Sequence, residues 1–183
     1  MVFAAPALAE NIDLFIDGPW MRFKFLESGS YATGGCTAET GCEPMVETNY
    51  VYVELGDSPW EITLAGAALL RITDAFMKGD TYAVYDNGVE KPILETPGVA
   101  EFAMLLPNSD NPGFCYEDPS FSHGAIVLAQ GEHSLTIKVL YSPFGYGDAY
   151  FRIDRIISTP EPLSIMLLGF GFLGLGAIRR SRG

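Results

Sequence analysis

Met21, Phe23 and Phe25 alternate with Arg22 and Lys24, the period-two pattern of a strand with one buried face. Short runs rich in β-branched and aromatic residues follow at 50–53, 60–64, 69–73 and 81–85. Asp86-Asn87-Gly88 then reads as a hairpin turn, with 89–94 as the returning strand. Strands are predicted again at 124–129, at 134–141 after the turn Gln130-Gly131-Glu132, and at 148–157. Residues 99–106 are the one place in this region where a short helix is expected. Elsewhere before the tail no window keeps a 3.6-residue apolar period. Short strands separated by turn clusters predict an all-β fold, an antiparallel β-sandwich over residues 11–158.

The pattern changes abruptly at the C-terminus. Residues 163–178 carry no charge, and Arg179, Arg180 and Arg182 follow. Sixteen residues make a helix of about 24 Å, slightly short for a hydrocarbon core of about 30 Å, so the bilayer must thin or flanking side chains must snorkel. Four glycines, each costing about 1 kcal/mol relative to Ala in a water-soluble helix, argue against a buried soluble helix. The pattern predicts a single C-terminal transmembrane helix, with the arginines as a cytoplasmic stop and the domain outside. Gly169, Gly171 and Gly174 match G-x-G-x-x-G by letter. That fingerprint needs a preceding strand and a βαβ unit of about 30 residues, and only the chain end follows. At the other end, Ala7-Leu8-Ala9 before Glu10 has the A-x-A form of a signal-peptidase site. Residues 1–9 are read as the residual end of a signal peptide, which implies further residues upstream. An apolar tail on a cytosolic protein is the alternative.

Pro160-Glu161-Pro162, the apolar helix directly after it and the closing arginine cluster together resemble the PEP-CTERM sorting signal, here spanning 159–183. The resemblance implies recognition by exosortase, a membrane-embedded cysteine protease-transpeptidase of Gram-negative bacteria, with Pro160, Glu161 and Pro162 as the motif and Arg179, Arg180 and Arg182 as the stop. It further implies export through the inner membrane, transient anchoring there, and release to the cell surface or extracellular matrix, in hosts that commonly make exopolysaccharide. The segment LAQGEHSLTIKVL followed by DAYFRID resembles, in a general way, the closing strands of galactose-binding-like jelly-roll modules.

Composition narrows the partners. The formal net charge is −12, and three of the 11 basic residues lie in the tail. Such a domain repels phosphate backbones, which disfavours nucleic acid. Three cysteines in an exported chain suggest one disulfide and one leftover thiol. Cys36 and Cys42 close a small loop without help from the fold and are expected to pair; a bond from Cys115 to either is the alternative. No C-x-x-C and no paired histidine spacing points to zinc. Asp74, Asp80 and Asp86 recur around DAFMKGDTYAVYDNG as a candidate calcium set, without EF-hand spacing, and ordinary turn chemistry is the competing reading.

Catalytic signals are sparse. His123 and His133 are the only neutral-pH bases, and each is read as a hydrogen-bonded turn residue. Gly56-Asp57-Ser58-Pro59-Trp60 begins like a nucleophile elbow, but Trp replaces the final glycine. The chain is therefore read as a non-enzyme. The candidate binding feature is the aromatic stretch YSPFGYGDAY, where Tyr141, Phe144, Tyr146, Asp148 and Tyr150 would meet a glycan. An exposed aromatic platform would favour glycan binding, and a flat polar surface a structural or adhesive matrix role. A cleft holding a histidine beside a carboxylate or Cys115 would favour a hydrolase.

Overall fold

The computed structural model describes residues 16–34, 44–46, 51–101, 104 and 106–156. In chain order the elements are β1 (Trp20–Phe25), β2 (Pro44–Val46), β3 (Val51–Glu54), β4 (Trp60–Leu64), β5 (Ala68–Asp74), β6 (Thr81–Asp86) and β7 (Leu94–Glu95). Helix α1 (Pro112–Glu117) follows, then β8 (His123–Leu128), β9 (Gly131–Tyr141) and β10 (Gly147–Arg155). They form two sheets, one ordered β2-β3-β1-β10-β5-β8 and the other β4-β9-β6-β7. Every strand pair is antiparallel except β1 with β3. The expected β-sandwich is present.

Alternation along the strands builds the core. Met21, Phe23 and Phe25 of β1 lie beside Phe151 and Ala149 of β10 and face Trp60, Tyr82, Ile137 and Val139 across the gap. Phe23 sits at the centre, with ring centroids 5.5 Å from Tyr82 edge-on, 6.1 Å from Trp60 and 6.3 Å from Phe151. These separations suit edge-to-face and tilted aromatic packing. Residues 31–33 stitch the two sheets together, since Thr33 bridges to Lys24 of β1 and Tyr31 to Lys138 of β9. The small residues after β4 do not make a hairpin. They carry the chain across, because β4 pairs with β9 in one sheet and β5 with β10 and β8 in the other.

The larger sheet is covered on its outer face as well. Trp20, Tyr52, Ala75, Cys115, Phe121 and Tyr150 form a second buried cluster beneath α1. Tyr150 meets Tyr52 edge-on at 5.9 Å and stacks on Phe76 at 6.1 Å.

One expectation needs correction and one helix is added. Within 99–106, where a short helix is expected, residues 101 and 104 are in 3-10 conformation, and 102, 103 and 105 lie outside the described residues. A helix that the strand pattern does not predict stands at Pro112–Glu117. Asn111 caps it by accepting the Phe114 N–H at 3.2 Å, and Pro112 occupies the first turn, where a missing N–H costs nothing. Asn-Pro is thus a helix start here rather than a turn. The Asp86-Asn87-Gly88 turn forms, with Asn87 and Gly88 both at positive φ and the Val89 N–H on the Asp86 carbonyl at 3.1 Å. The return strand, however, is only Leu94–Glu95, with the Ile93 N–H on the Val84 carbonyl at 2.8 Å just before it.

Residues 1–9, Cys36, Cys42 and the whole sorting signal with its apolar helix lie outside the described residues. Among the described residues no helix is long and apolar enough to cross a membrane.

Candidate functional site

One end of the sandwich gathers the β5–β6 loop (75–80), the β9–β10 loop (142–146) and the turn after β1. The β9–β10 loop is pinned from three sides. The Ser142 N–H donates to Ser28 Oγ at 2.8 Å, and the Ser142 hydroxyl donates to the Gly145 carbonyl at 2.7 Å. Asp80 lies within hydrogen-bonding reach of Ser142 from below. Pro143 also packs over Gly79, where an added Cβ would sit 2.9 Å from Pro143 Cγ and 3.0 Å from Met104 Cε. Gly79 has φ +122°, so both space and conformation require glycine. On this braced backbone Tyr141, Phe144 and Tyr146 expose 51%, 45% and 78% of their surface.

The other two members of the aromatic stretch go elsewhere. Tyr150 is fully buried in the outer cluster and is removed from the candidate surface. Asp148 is on β10, 3.9 Å from the Arg22 guanidinium, which itself lies 4.6 Å from the centre of the Tyr52 ring. The strand's alternation explains both: from Gly147 onward, even-numbered side chains point to the outer face of the sheet.

The three aspartates do not converge either. Asp74 and Asp80 are neighbours, while Asp86 sits at the far end of β6, roughly 20 Å along the strand at about 3.3 Å per residue. Asp74 is surrounded by donors: the N–H groups of Ala75 at 2.8 Å, Gly79 at 2.9 Å and Asp80 at 3.1 Å, and the Tyr82 hydroxyl at 3.3 Å. N–H groups aimed at a carboxylate occupy the lone pairs a cation would need. Among the described residues no group of three or more His, Cys, Asp or Glu is arranged to hold a metal.

Burial and the adjacent Asp80 charge push the Asp74 carboxyl well up, against the three backbone N–H groups. Burial likewise raises Asp80 to about 6. The two titrate as one unit. Four donors act against burial at Asp74, and hydrogen bonds with Ser142 and Asp74 act against it at Asp80, whose Oδ1 has no partner among the described residues. Burial first, and then the Asp74 and Asp80 charges, push the Tyr82 phenol well up.

The groups singled out for chemistry are committed to structure. Asp86 Oδ2 lies 2.7 Å from His133 Nδ1, and His133 Nε2 lies 2.9 Å from the Ala129 carbonyl. Burial disfavours the imidazolium, but the Asp86 and Ala129 hydrogen bonds and the Asp86 charge outweigh it and raise the His133 pKa. Ser134, next in sequence, gives its hydroxyl to Glu61 at 2.7 Å rather than to the imidazole. His123 Nδ1 contacts the Phe121 carbonyl at 2.9 Å. Ser58 donates to the Ala32 carbonyl at 2.9 Å. Cys115 is free and fully buried, its thiol 3.3 Å from the Ser109 carbonyl and pushed up to about 12, chiefly by burial.

Lys78 is the site residue that sequence reasoning misses. In Lys78-Gly79-Asp80 it reads as a solvated turn lysine, yet its side chain is buried, with Nζ 4.6 Å from the centre of the Phe121 ring. A lysine in a Gly-Asp turn carries no signal of burial, because Phe121 is 43 residues away along the chain. No family model matches the chain, and the search of curated proteins finds no match.

Proposed function

We propose that this chain is an exported cell-surface or extracellular-matrix protein whose β-sandwich binds polysaccharide through residues 141–146 and has no catalytic role. The observation that carries the reading is the exposure of Tyr141, Phe144 and Tyr146 on a loop held by Ser28, Ser142 and Gly79. Sugar rings present apolar C–H faces, and a pre-ordered aromatic loop stacks on them with little entropy to lose. In this proposal the sandwich is jelly-roll-like. It reaches the outside as cargo of a PEP-CTERM signal, with Pro160, Glu161 and Pro162 read by exosortase. Residues 163–178 are the transient transmembrane anchor, and Arg179, Arg180 and Arg182 are the cytoplasmic stop. A disulfide between Cys36 and Cys42 belongs to the same export reading, and the free Cys115 is consistent with it.

A glycan array and affinity electrophoresis of the full chain in non-ionic detergent test the binding. The expected affinity is millimolar to micromolar, about −4 to −8 kcal/mol. Phe144→Ala and Tyr146→Ala should each weaken it by about tenfold, the loss of one anchoring ring. Binding by neither wild type nor variants, or equal binding by all three, overturns the reading in favour of a structural or adhesive matrix protein. Intact-mass measurement of the protein from cells with exosortase tests the sorting step: a mature chain still ending at Gly183 overturns it.

A further inference from the structure

A cavity of about 450 Å³ opens beside the candidate loop, walled by Leu106 and Phe114 and floored by Lys78, with Asn108, Asn111 and Asp118 around it. Its size falls in the range of small-molecule sites, about 300–1,000 Å³. The surface it presents is mixed. Phe114 and Leu106 expose 53% and 44% of their area. Asn111 uses its Oδ1 to cap α1, accepting the Phe114 N–H, which leaves its amide N–H groups as donors. Asp118 accepts the Ser120 N–H at 2.9 Å through Oδ1.

Lys78 is the unusual member. It is 2% exposed, and the described residues give its Nζ a ring face but no ion pair and no hydrogen bond. Its stem is buried, while Nζ is not among the fully buried polar atoms that lack a partner among the described residues, so the ammonium end reaches the cavity it lines. The Asp118 carboxylate is close enough for the lysine's charge to help hold its pKa down, after the stronger effects of Ser120, but it makes no direct ion pair. The ammonium is thus placed to meet an anion arriving through the cavity.

We infer that this cavity binds a uronic-acid residue, its carboxylate on Lys78, its ring against Phe114 and its hydroxyls on Asp118 and Asn108. The arrangement asks for one anionic group, several hydroxyl donors and an apolar face, and a sugar acid has all three. The cavity is joined to the aromatic loop through Lys78-Gly79-Asp80: Lys78 floors it, Gly79 supports Pro143, and Asp80 reaches Ser142. The inference therefore rests on the polysaccharide reading and names its substrate class. The net charge of −12 opposes polyanions at a distance. At 0.15 M salt the Debye length of about 8 Å weakens the distant charges, so a carboxylate in the cavity meets chiefly the nearby ones, where Lys78 stands against Asp110 and Asp118.

The test is a ¹H–¹⁵N NMR titration of the full chain in detergent micelles at 0.15 M salt. The probes are methyl β-glucuronide, methyl β-glucoside and hexanoate, read at the amides around Asn108, Phe114 and Asp118. The glucuronide should shift these amides with an affinity at least about tenfold above the other two. Lys78→Met should bring glucuronide down to the level of glucoside, and Phe114→Ala, at an exposed position, should weaken both sugars. Equal binding of glucuronide and glucoside by wild type overturns the role of Lys78, and this comparison needs no variant to fold. Hexanoate binding as well as glucuronide overturns the sugar assignment and leaves a carboxylate site. A wild type that binds neutral polysaccharide through Tyr146 but shifts no cavity amide with glucuronide overturns this inference alone. Cavity shifts with glucuronide, alongside Phe144→Ala and Tyr146→Ala variants that hold polymer like wild type, overturn the loop reading alone.

Discussion

At the start of β6, Asp80 lies against Asp74, carboxylate on carboxylate; at the end of the same strand, Asp86 holds His133, carboxylate on imidazole. Both places raise pKa values, for opposite reasons. At the first, burial and like charge make the anions costly, and the protein answers with four donors on Asp74. At the second, an opposite charge and a carbonyl hold the proton on the histidine against burial. The first tolerates strain while ordering the 75–80 loop under the aromatic loop. The second fastens β6 to the start of β9, with the Ser134 N–H also on Asp86 at 3.1 Å. A sequence reading that groups Asp74, Asp80 and Asp86 by spacing cannot separate the two, since the partners come from elsewhere in the chain.

The largest expected effect breaks the first arrangement. Asp74→Ala leaves three backbone N–H groups and the Tyr82 hydroxyl without their acceptor. At about 1–3 kcal/mol for each buried unsatisfied donor, partly relieved by entering water, the loss should be about 3–5 kcal/mol in urea unfolding. A loss under about 1 kcal/mol would show that the loop does not depend on Asp74.

Next comes the far end of the strand. His133→Ala removes a charge-assisted hydrogen bond and should cost about 1.5–3 kcal/mol at pH 6. Because the folded pKa is raised above about 6.5, this stabilisation is fully present below that value and is lost as pH rises through the folded value. Unfolding curves of variant and wild type should therefore converge between pH 6 and pH 9. A gap that widens with pH would contradict the assigned pairing.

Asp80→Asn should act in the opposite sense. The folded pKa of about 6 lies above the ordinary 3.8, so wild type loses stability as pH rises from about 4 through 6. The amide carries no charge to repel Asp74. Near pH 4 the two proteins should be equally stable, and at pH 8 the variant should be ahead by about 1–2 kcal/mol. Equal stability at both pH values would mean that burial does not penalise the Asp80 carboxylate.

The smallest effect, at Tyr146, is set against a large one at Tyr150. Tyr146→Ala should change stability by less than about 0.5 kcal/mol, whereas Tyr150→Ala should cost about 3–5 kcal/mol. Thermal unfolding of the pair checks it: similar losses would return Tyr146 to the core and remove it from the candidate binding surface.

What the chain determines by itself is local. Alternation of apolar and polar positions names the strands and their buried faces, from Met21, Phe23 and Phe25 to Ala149, Phe151 and Ile153, because side chains on a strand alternate between faces whatever the partner. Asn87-Gly88 determines its turn, because both residues tolerate positive φ. Asn111-Pro112 sets the start of α1 locally too, Asn111 by accepting the Phe114 N–H and Pro112 by its fixed φ. Tertiary structure decides what depends on distant neighbours. It pairs β4 with β9 instead of β5, buries Tyr150 while leaving Tyr146 in solvent, and separates Asp86 from Asp74. It also draws Lys78 under Phe121 at the edge of a cavity. Burial and pKa are sums over whatever the folded chain brings within a few ångströms, and that company is absent from any short stretch of sequence.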